Sequence, residues 1–107
     1  MERSYTPVTA LPPLSLRGLR ALVYSAPRPC GDRPEPFFGP DDETPEAHAE
    51  RVTAARAICD GCPVRLACLA RAMRDREESG VWGGVDADAG ELKYLADTAR
   101  LMRKAAA

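Results

Sequence analysis

Residues 59–68 read CDGCPVRLAC and hold three of the four cysteines in this chain of 107 residues. The fourth, Cys30, lies well upstream. Four thiolates, one from a distant segment and three from a short one, form a closed ligand set of the kind that holds zinc or an iron–sulfur cluster. We therefore expect Cys30, Cys59, Cys62 and Cys68 to meet at one metal centre.

The local sequence around this segment predicts how the sulfurs converge. The two residues between Cys59 and Cys62 let both side chains face one centre, and Gly61 is predicted to allow the tight turn. Pro63 is expected to start a helix in which Cys68 points back toward the helix N-terminus. Free amides and the helix dipole there are expected to favour thiolates.

The spacing leaves three kinds of site open. Structural Cys₄ zinc sites usually draw their ligands from two short pairs, whereas this chain has one such pair, so the spacing favours iron–sulfur over zinc. A metal-free thiol–disulfide switch is the third alternative. Dithiol oxidoreductases usually carry their CxxC in a βαβ context, and no strand pattern precedes Cys59, so an enzyme is disfavoured.

Length and composition restrict the class of protein. A core from about a hundred residues is small enough to need a metal, a disulfide or a partner. The formal net charge of −1 does not indicate a strong nucleic-acid binder. No apolar run reaches the roughly 20 residues that a bilayer requires, and prolines and arginines interrupt any signal sequence, so we expect a cytoplasmic protein with no membrane contact and reduced thiols.

The predicted fold is a small all-α domain of three to four helices organised around the cysteine site. Residues 1–28 are proline-rich and are predicted to form a flexible arm, with at most a short helical turn between Leu14 and Tyr24. The domain is predicted to span residues 29–105. Its first part, from Cys30 to Pro45, is expected to be an irregular loop.

Three helices are predicted after that loop. The first has Thr44 as its N-cap and Pro45 at the first helical position, and runs to Cys59. The second starts after Pro63, continues to about Ser79 and is capped by Gly80. The third runs from near Asp88 to Lys104 after a glycine-rich turn.

Some charged residues are predicted to lie on ordinary solvated faces. His48 is the only histidine and falls among charged residues of the first helix, where a solvated role is favoured over a ligand role. The arginines of the second helix, Arg71, Arg74 and Arg76, alternate with acidic residues and are interpreted in the same way.

The order of these features resembles the WhiB-like (Wbl) family of actinobacterial and actinophage proteins. The resemblance rests on Cys30, a PEPFF segment at residues 34–38, Cys59-x₂-Cys62-Pro-x₄-Cys68-Leu, and GVWGG at residues 80–84. It implies one [4Fe–4S] cluster per chain on the four cysteines, sensitive to oxygen and nitric oxide. It also implies transcriptional regulation through the C-terminal domain of the primary sigma factor.

The same resemblance implies where the partner binds. The GVWGG turn, comprising Gly80, Val81, Trp82, Gly83 and Gly84, falls in the family's sigma-binding region. Trp82 is either the main core aromatic or a partner contact, and one indole face can serve each role. Phe37 and Phe38 are adjacent in an extended loop, so one can pack on the domain while the other is presented to the partner.

Two departures from the family pattern affect the predicted partners. The nearest aromatic before Cys30 is Tyr24, where many members have tryptophan. After GVWGG the chain lacks the basic motif of members that bind DNA directly, so contact with promoter DNA is expected to be weak, or to depend on the sigma factor or on loss of the cluster. The competing functions are an apo-form protein disulfide reductase using Cys59 and Cys62, and a structural Cys₄ zinc module.

Overall fold

The computed structural model describes residues 15–106, and its architecture is mainly helical, as predicted. Among the described residues, no helix is long and apolar enough to cross a membrane. The elements in chain order are α1 (Leu16–Val23), α2 (Pro29–Asp32), a 3-10 helix (Glu35–Phe37), α3 (Pro45–Asp60), α4 (Arg65–Asp75), β1 (Val81–Trp82), β2 (Val85–Asp86) and α5 (Glu91–Ala106).

Helix α1 differs from the flexible arm predicted for this part of the chain. The Ser15 side chain caps it by accepting a hydrogen bond from the Gly18 amide at 3.1 Å. Leu19 and Val23, spaced by one helical turn, are buried, and α1 packs against α4. Burying two such side chains contributes about 1.5–3 kcal/mol each, which a proline-rich context does not reveal. The remainder of the predicted arm, residues 1–14, lies outside the described residues.

Helix α3 confirms the prediction of its start. The Thr44 hydroxyl accepts a hydrogen bond from the Ala47 amide at 3.1 Å, and Pro45 occupies the first helical position. One face of α3 is buried through Val52, Ala55 and Cys59. The cap therefore sets the register that delivers Cys59 to the domain interior.

Replacing Thr44 with alanine is expected to lower the free energy of unfolding by about 1 kcal/mol, because the Ala47 amide then loses its intramolecular acceptor. Thr53→Ala is the matched control, since Thr53 lies in the exposed middle of α3 and only donates to the carbonyl of Ala49. Denaturant unfolding of both variants measures the difference. Equal losses would show that the cap contributes nothing specific.

The end of α4 differs from the prediction. The helix stops at Asp75 instead of about Ser79, because Arg76 takes a left-handed conformation with φ of 54°. The amide of Glu77 then donates to the carbonyl of Ala72 at 3.1 Å, which closes the last turn. Gly80 is therefore not the helix cap that the sequence predicted.

Residues 81–86, which include most of the GVWGG segment, form an antiparallel hairpin where the sequence predicted a glycine-rich turn. Val81 faces Asp86, and Trp82 faces Val85 across the two strands. Gly83 and Gly84 connect them with φ of +58° and +86°. Positive φ at both central residues is the type I′ geometry that favours glycine in two-residue hairpins.

Two groups of buried side chains form the core, and the hairpin lies between them. The first contains Phe37, Val52, Ala55, Cys59 and Val81. The second contains Leu69, Ala72, Ala87 and Leu92, with Trp82 and Val85 packed against it. The hairpin thus connects the cysteine-bearing end of α3 with α4 and α5.

Candidate metal centre

All four cysteines line one cavity of about 400 Å³. Cys30 comes from α2, Cys59 from the end of α3, Cys62 from the following turn and Cys68 from the first turn of α4. All four thiols are free, and Cys59 is the most buried of them. The fold therefore places the four predicted ligands along the wall of one cavity.

The turn between Cys59 and Cys62 is compact. The amide of Cys62 donates to the carbonyl of Cys59 at 3.0 Å, and the amide of Gly61 donates to that of Ile58 at 3.2 Å. Gly61 has φ of −94°, which any residue can adopt, so the predicted need for glycine at this turn is wrong. A Cβ atom there would approach only the Ile58 carbonyl, at 3.9 Å.

Burial dominates the acidity of two of the thiols. It raises the pKa of Cys59 to about 11, against the opposing effect of the Gly84 amide that hydrogen-bonds to it. Burial also raises the pKa of Cys68, although the Gly83 amide and the charge of Arg71 both lower it. In the metal-free protein desolvation therefore outweighs the amides that favour the thiolate form at Cys59 and Cys68.

Positive charge surrounds the cysteine cavity. Among the residues described, the charged members of its wall are four arginines and a single aspartate, namely Arg20, Arg28, Arg65, Arg71 and Asp75. The aspartate pairs with Arg20 of α1, at 3.1 Å, and with Arg71 of α4. The sequence predicted a solvated face for Arg71, yet its side chain is only 12% exposed. The sequence did contain one indication of this pairing, because Arg71 and Asp75 are four residues apart on a predicted helix and such residues can form an ion pair.

The donor set is compatible with an iron–sulfur cluster. Zinc bound to four thiolates at about 2.3 Å draws the sulfurs around one point. Among the residues from 15 to 106, no group of three or more His, Cys, Asp or Glu side chains is arranged so that it could hold a metal ion. The four thiols line a cavity large enough for several atoms, and the arginines of its wall would offset the charge of an anionic group.

The two phenylalanines separate as predicted, although Phe37 ends the 3-10 helix and does not lie in the extended loop that the sequence suggested. Phe37 is buried in the core, whereas Phe38 is 55% exposed. The Phe38 ring meets Trp82 edge-on, with centroids 5.6 Å apart. The guanidinium of Arg71 lies over the same indole at 4.7 Å from its centroid. Phe38 and Trp82 therefore form an aromatic pair at the cavity wall, and we refer to it as the aromatic rim.

The glycines of the hairpin allow close packing around this rim. A Cβ atom on Gly80 would lie 2.7 Å from the Phe38 ring. One on Gly83 would lie 2.7 Å from the carbonyl of Arg65. Of the residues predicted to bind a partner, Phe37, Gly80, Val81 and Gly83 are buried, whereas Phe38 is exposed and Trp82 and Gly84 are partly so.

His48 is only partly solvated, with its side chain 29% exposed, where the sequence predicted a solvated residue. Its ring is held between Glu43, at 3.0 Å, and Asp86 of β2, at 2.6 Å. Asp86 follows it by 38 positions in the chain, so sequence neighbours gave no sign of this contact.

Comparison with known proteins places the chain among transcriptional regulators of one family. The family described as Transcription factor WhiB matches residues 26–91. Transcriptional regulator WhiD of Streptomyces coelicolor is 44% identical over 52 residues, covering 49% of this chain and 46% of that protein. Redox-responsive transcriptional regulator WhiB3 of Mycolicibacterium smegmatis is 39% identical over 56 residues, covering 52% and 58%. Transcriptional regulator WhiB1 of Mycobacterium tuberculosis is 36% identical over 59 residues, covering 55% and 69%.

The chain spans about half the length of the first two of these relatives. No solved structure gives a significant match. The family match nevertheless covers more than half of the chain and includes all four cysteines and the hairpin. The chain belongs to the WhiB family of transcription factors.

Proposed function

We propose that this protein is a redox- and nitric-oxide-responsive transcriptional regulator that carries one [4Fe–4S] cluster per chain. Cys30, Cys59, Cys62 and Cys68 would hold the cluster, which supplies a redox-active group sensitive to oxygen and nitric oxide. The observation that carries the proposal is the meeting of all four free thiols at one cavity. The name of the WhiB3 relative, a redox-responsive transcriptional regulator, supports it.

The β-hairpin connects two of the cysteines with the proposed partner-binding surface. The amides of Gly84 and Gly83 hydrogen-bond to Cys59 and Cys68, respectively. Trp82 precedes these glycines directly and lines the same cavity. A change in the charge or bonding of the two sulfurs therefore acts on the backbone that carries the indole.

The proposed partner is the C-terminal domain of the primary sigma factor, docking at the aromatic rim of Phe38 and Trp82. Exposed aromatic side chains backed by a packed core are typical hot spots of protein interfaces. The indole N–H already donates to the carbonyl of Ser79 at 2.7 Å, so docking on the ring face leaves no polar group unpaired. Contact with promoter DNA would be weak or indirect, in the cytoplasm.

Replacing Trp82 with alanine is expected to weaken binding to the sigma-factor domain by about 30-fold or more, because a central tryptophan typically contributes at least 2 kcal/mol. The iron content should be unchanged, since the indole is no ligand. Anaerobic calorimetry with purified sigma-factor domain measures the affinity. Tyr94→Ala is the control, because Tyr94 is an aromatic residue of α5 that is 70% exposed.

Two results would count against this proposal. Cluster-loaded protein that fails to co-elute with the sigma-factor domain under anaerobic conditions would refute the docking. Loss of iron from Trp82→Ala with unchanged affinity per loaded molecule would make Trp82 a core residue instead.

A protein disulfide reductase is the second candidate, suggested by Cys59-Asp60-Gly61-Cys62. Thiol–disulfide exchange requires a thiolate, and a pKa of about 11 leaves Cys59 almost fully protonated at neutral pH. We therefore expect negligible turnover in an insulin-reduction assay with the apo-protein. Sustained turnover that depends on Cys59 and Cys62 would favour the reductase.

A further inference from the structure

Asp86 is a buried carboxylate whose contacts join two elements. It is 3% exposed and lies in β2, where its amide donates to Glu91 at 3.0 Å. Its Oδ2 lies 2.6 Å from Nε2 of His48, near the start of α3. Its Oδ1 has no hydrogen-bond partner among the residues that the structure describes. The His48 bond is therefore the side-chain contact that compensates for burying this charge.

Charged groups also face the other nitrogen of the His48 ring. Nδ1 lies 3.0 Å from Oε1 of Glu43 and 3.0 Å from Nη2 of Arg51. Arg51 in turn donates to both oxygens of Glu43 and lies 3.7 Å from Asp88. The imidazole is thus surrounded by carboxylates from the loop before α3 and from the hairpin, and by one guanidinium from its own helix.

This surrounding gives the ring a different set of hydrogen bonds in each protonation state. The imidazolium donates from Nε2 to Asp86 and from Nδ1 to Glu43, so that both bonds are charge-assisted. The neutral ring can keep its proton on Nε2 for Asp86 while Nδ1 accepts from Arg51. Loss of the proton therefore removes the bond to Glu43 and weakens the bond to Asp86, without leaving a ring nitrogen unpaired.

We propose that His48 is a proton-dependent staple that fastens the β-hairpin to α3 when its ring is protonated and loosens it when the ring is neutral. None of Glu43, His48 and Asp86 is among the residues that line the cysteine cavity. The staple residues are therefore separate from the candidate metal ligands, and the proposal does not require the function proposed above.

The direction of the pKa shifts agrees with this geometry. The hydrogen bond to Asp86, followed by that to Glu43, raises the pKa of His48 above its usual value, against the effect of burial. A raised folded-state pKa gives a stabilising contribution that is fully present below about pH 6.5 and is lost as pH rises through the folded-state value. The bond to Arg51 lowers the pKa of Glu43, so that carboxylate stays charged throughout this range.

Proton NMR of the full-length, untagged protein tests the staple, because His48 is the only histidine and gives the only imidazole signals. We expect its ring to titrate with a midpoint above about 6.5. The Ala87 amide, which donates to the carbonyl of Gly80 at 2.9 Å across the hairpin, reports hairpin opening. After correction for intrinsic exchange, its protection should fall several-fold through the same midpoint.

Two variants separate the staple from other sources of pH dependence. In Asp86→Asn the His48 midpoint should move down toward its usual value. In His48→Gln a side-chain N–H donor to Asp86 remains but does not titrate, so the pH dependence of Ala87 protection should disappear. A wild-type midpoint at or below about 6.5, or unchanged pH dependence in His48→Gln, would overturn the proposal. If Asp86→Asn does not fold, the wild-type titration and His48→Gln decide the question.

Discussion

Cys68→Ala is expected to lower the iron content per chain by at least about tenfold and to remove much of the helical signal. Cys68 lies in the first turn of α4, where it contributes one of four sulfurs around the cavity. Its loss would leave an incomplete ligand set. Both α1 and the hairpin pack against α4. Loss of structure around Cys68 would therefore destabilise these elements as well, because the core of the domain is small.

Iron and sulfide analysis and far-ultraviolet circular dichroism of anaerobically purified protein measure both effects. Arg74→Ala is the matched control, since Arg74 is exposed on the same helix. It should keep the iron content and helicity of the unmodified protein. A Cys68→Ala protein that retains both its iron and its helices would contradict the idea that bound metal supports the fold.

Gly83→Ala is expected to cost about 2–4 kcal/mol of folding stability, because two separate penalties coincide there. Gly83 has φ of +58°, which disfavours a side chain. Its new Cβ would also lie 2.7 Å from the carbonyl of Arg65 and 2.8 Å from Cβ of Leu69. Both neighbours belong to α4 and cannot yield without moving the helix that carries Cys68.

Substitutions at two other glycines distinguish the cost of a positive φ from the cost of the steric clash. Gly90 has φ of +78°, and a Cβ atom added there would meet nothing within 4 Å, so Gly90→Ala should lose only about 1–2 kcal/mol. Gly31 has neither a positive φ nor a neighbour within 4 Å, so Gly31→Ala should be neutral or slightly stabilising. Denaturation midpoints measured in the same metal state give the order. A Gly83→Ala protein as stable as Gly90→Ala would show that the close approach to α4 is not tight.

Local signals explain the parts of the fold that the sequence predicted correctly. The start of α3 depends on Thr44 and Pro45, which act on amides within the same turn. The cysteine spacing likewise requires only a short turn and the start of a helix. Features of this kind need no knowledge of the rest of the chain.

The features that were missed depend on distant partners or on single backbone angles. Helix α1 is held by burial of Leu19 and Val23 against α4, which follows it by some 40 residues. The end of α4 depends on one left-handed residue, Arg76, whose side chain gives no reason for that conformation. The two strands contain only two residues each, too few to show an alternating pattern.

The candidate site likewise contains some features that the sequence indicated and others that it did not. The sequence indicated the four cysteines as candidate ligands because their residue type and spacing are typical of metal sites, and the fold places all four at one cavity. The arginines around the cavity and the contact between His48 and Asp86 were not, because each joins elements that are far apart in sequence. Charged residues gain such roles only once the fold determines which of them become buried.

The most direct test of the central proposal is an absorption spectrum of anaerobically purified protein, with iron, sulfide and zinc measured on the same sample. A broad charge-transfer band together with about four iron and four sulfide per chain is the predicted result. Stoichiometric zinc without iron would contradict the proposal and would make the four cysteines a structural zinc site.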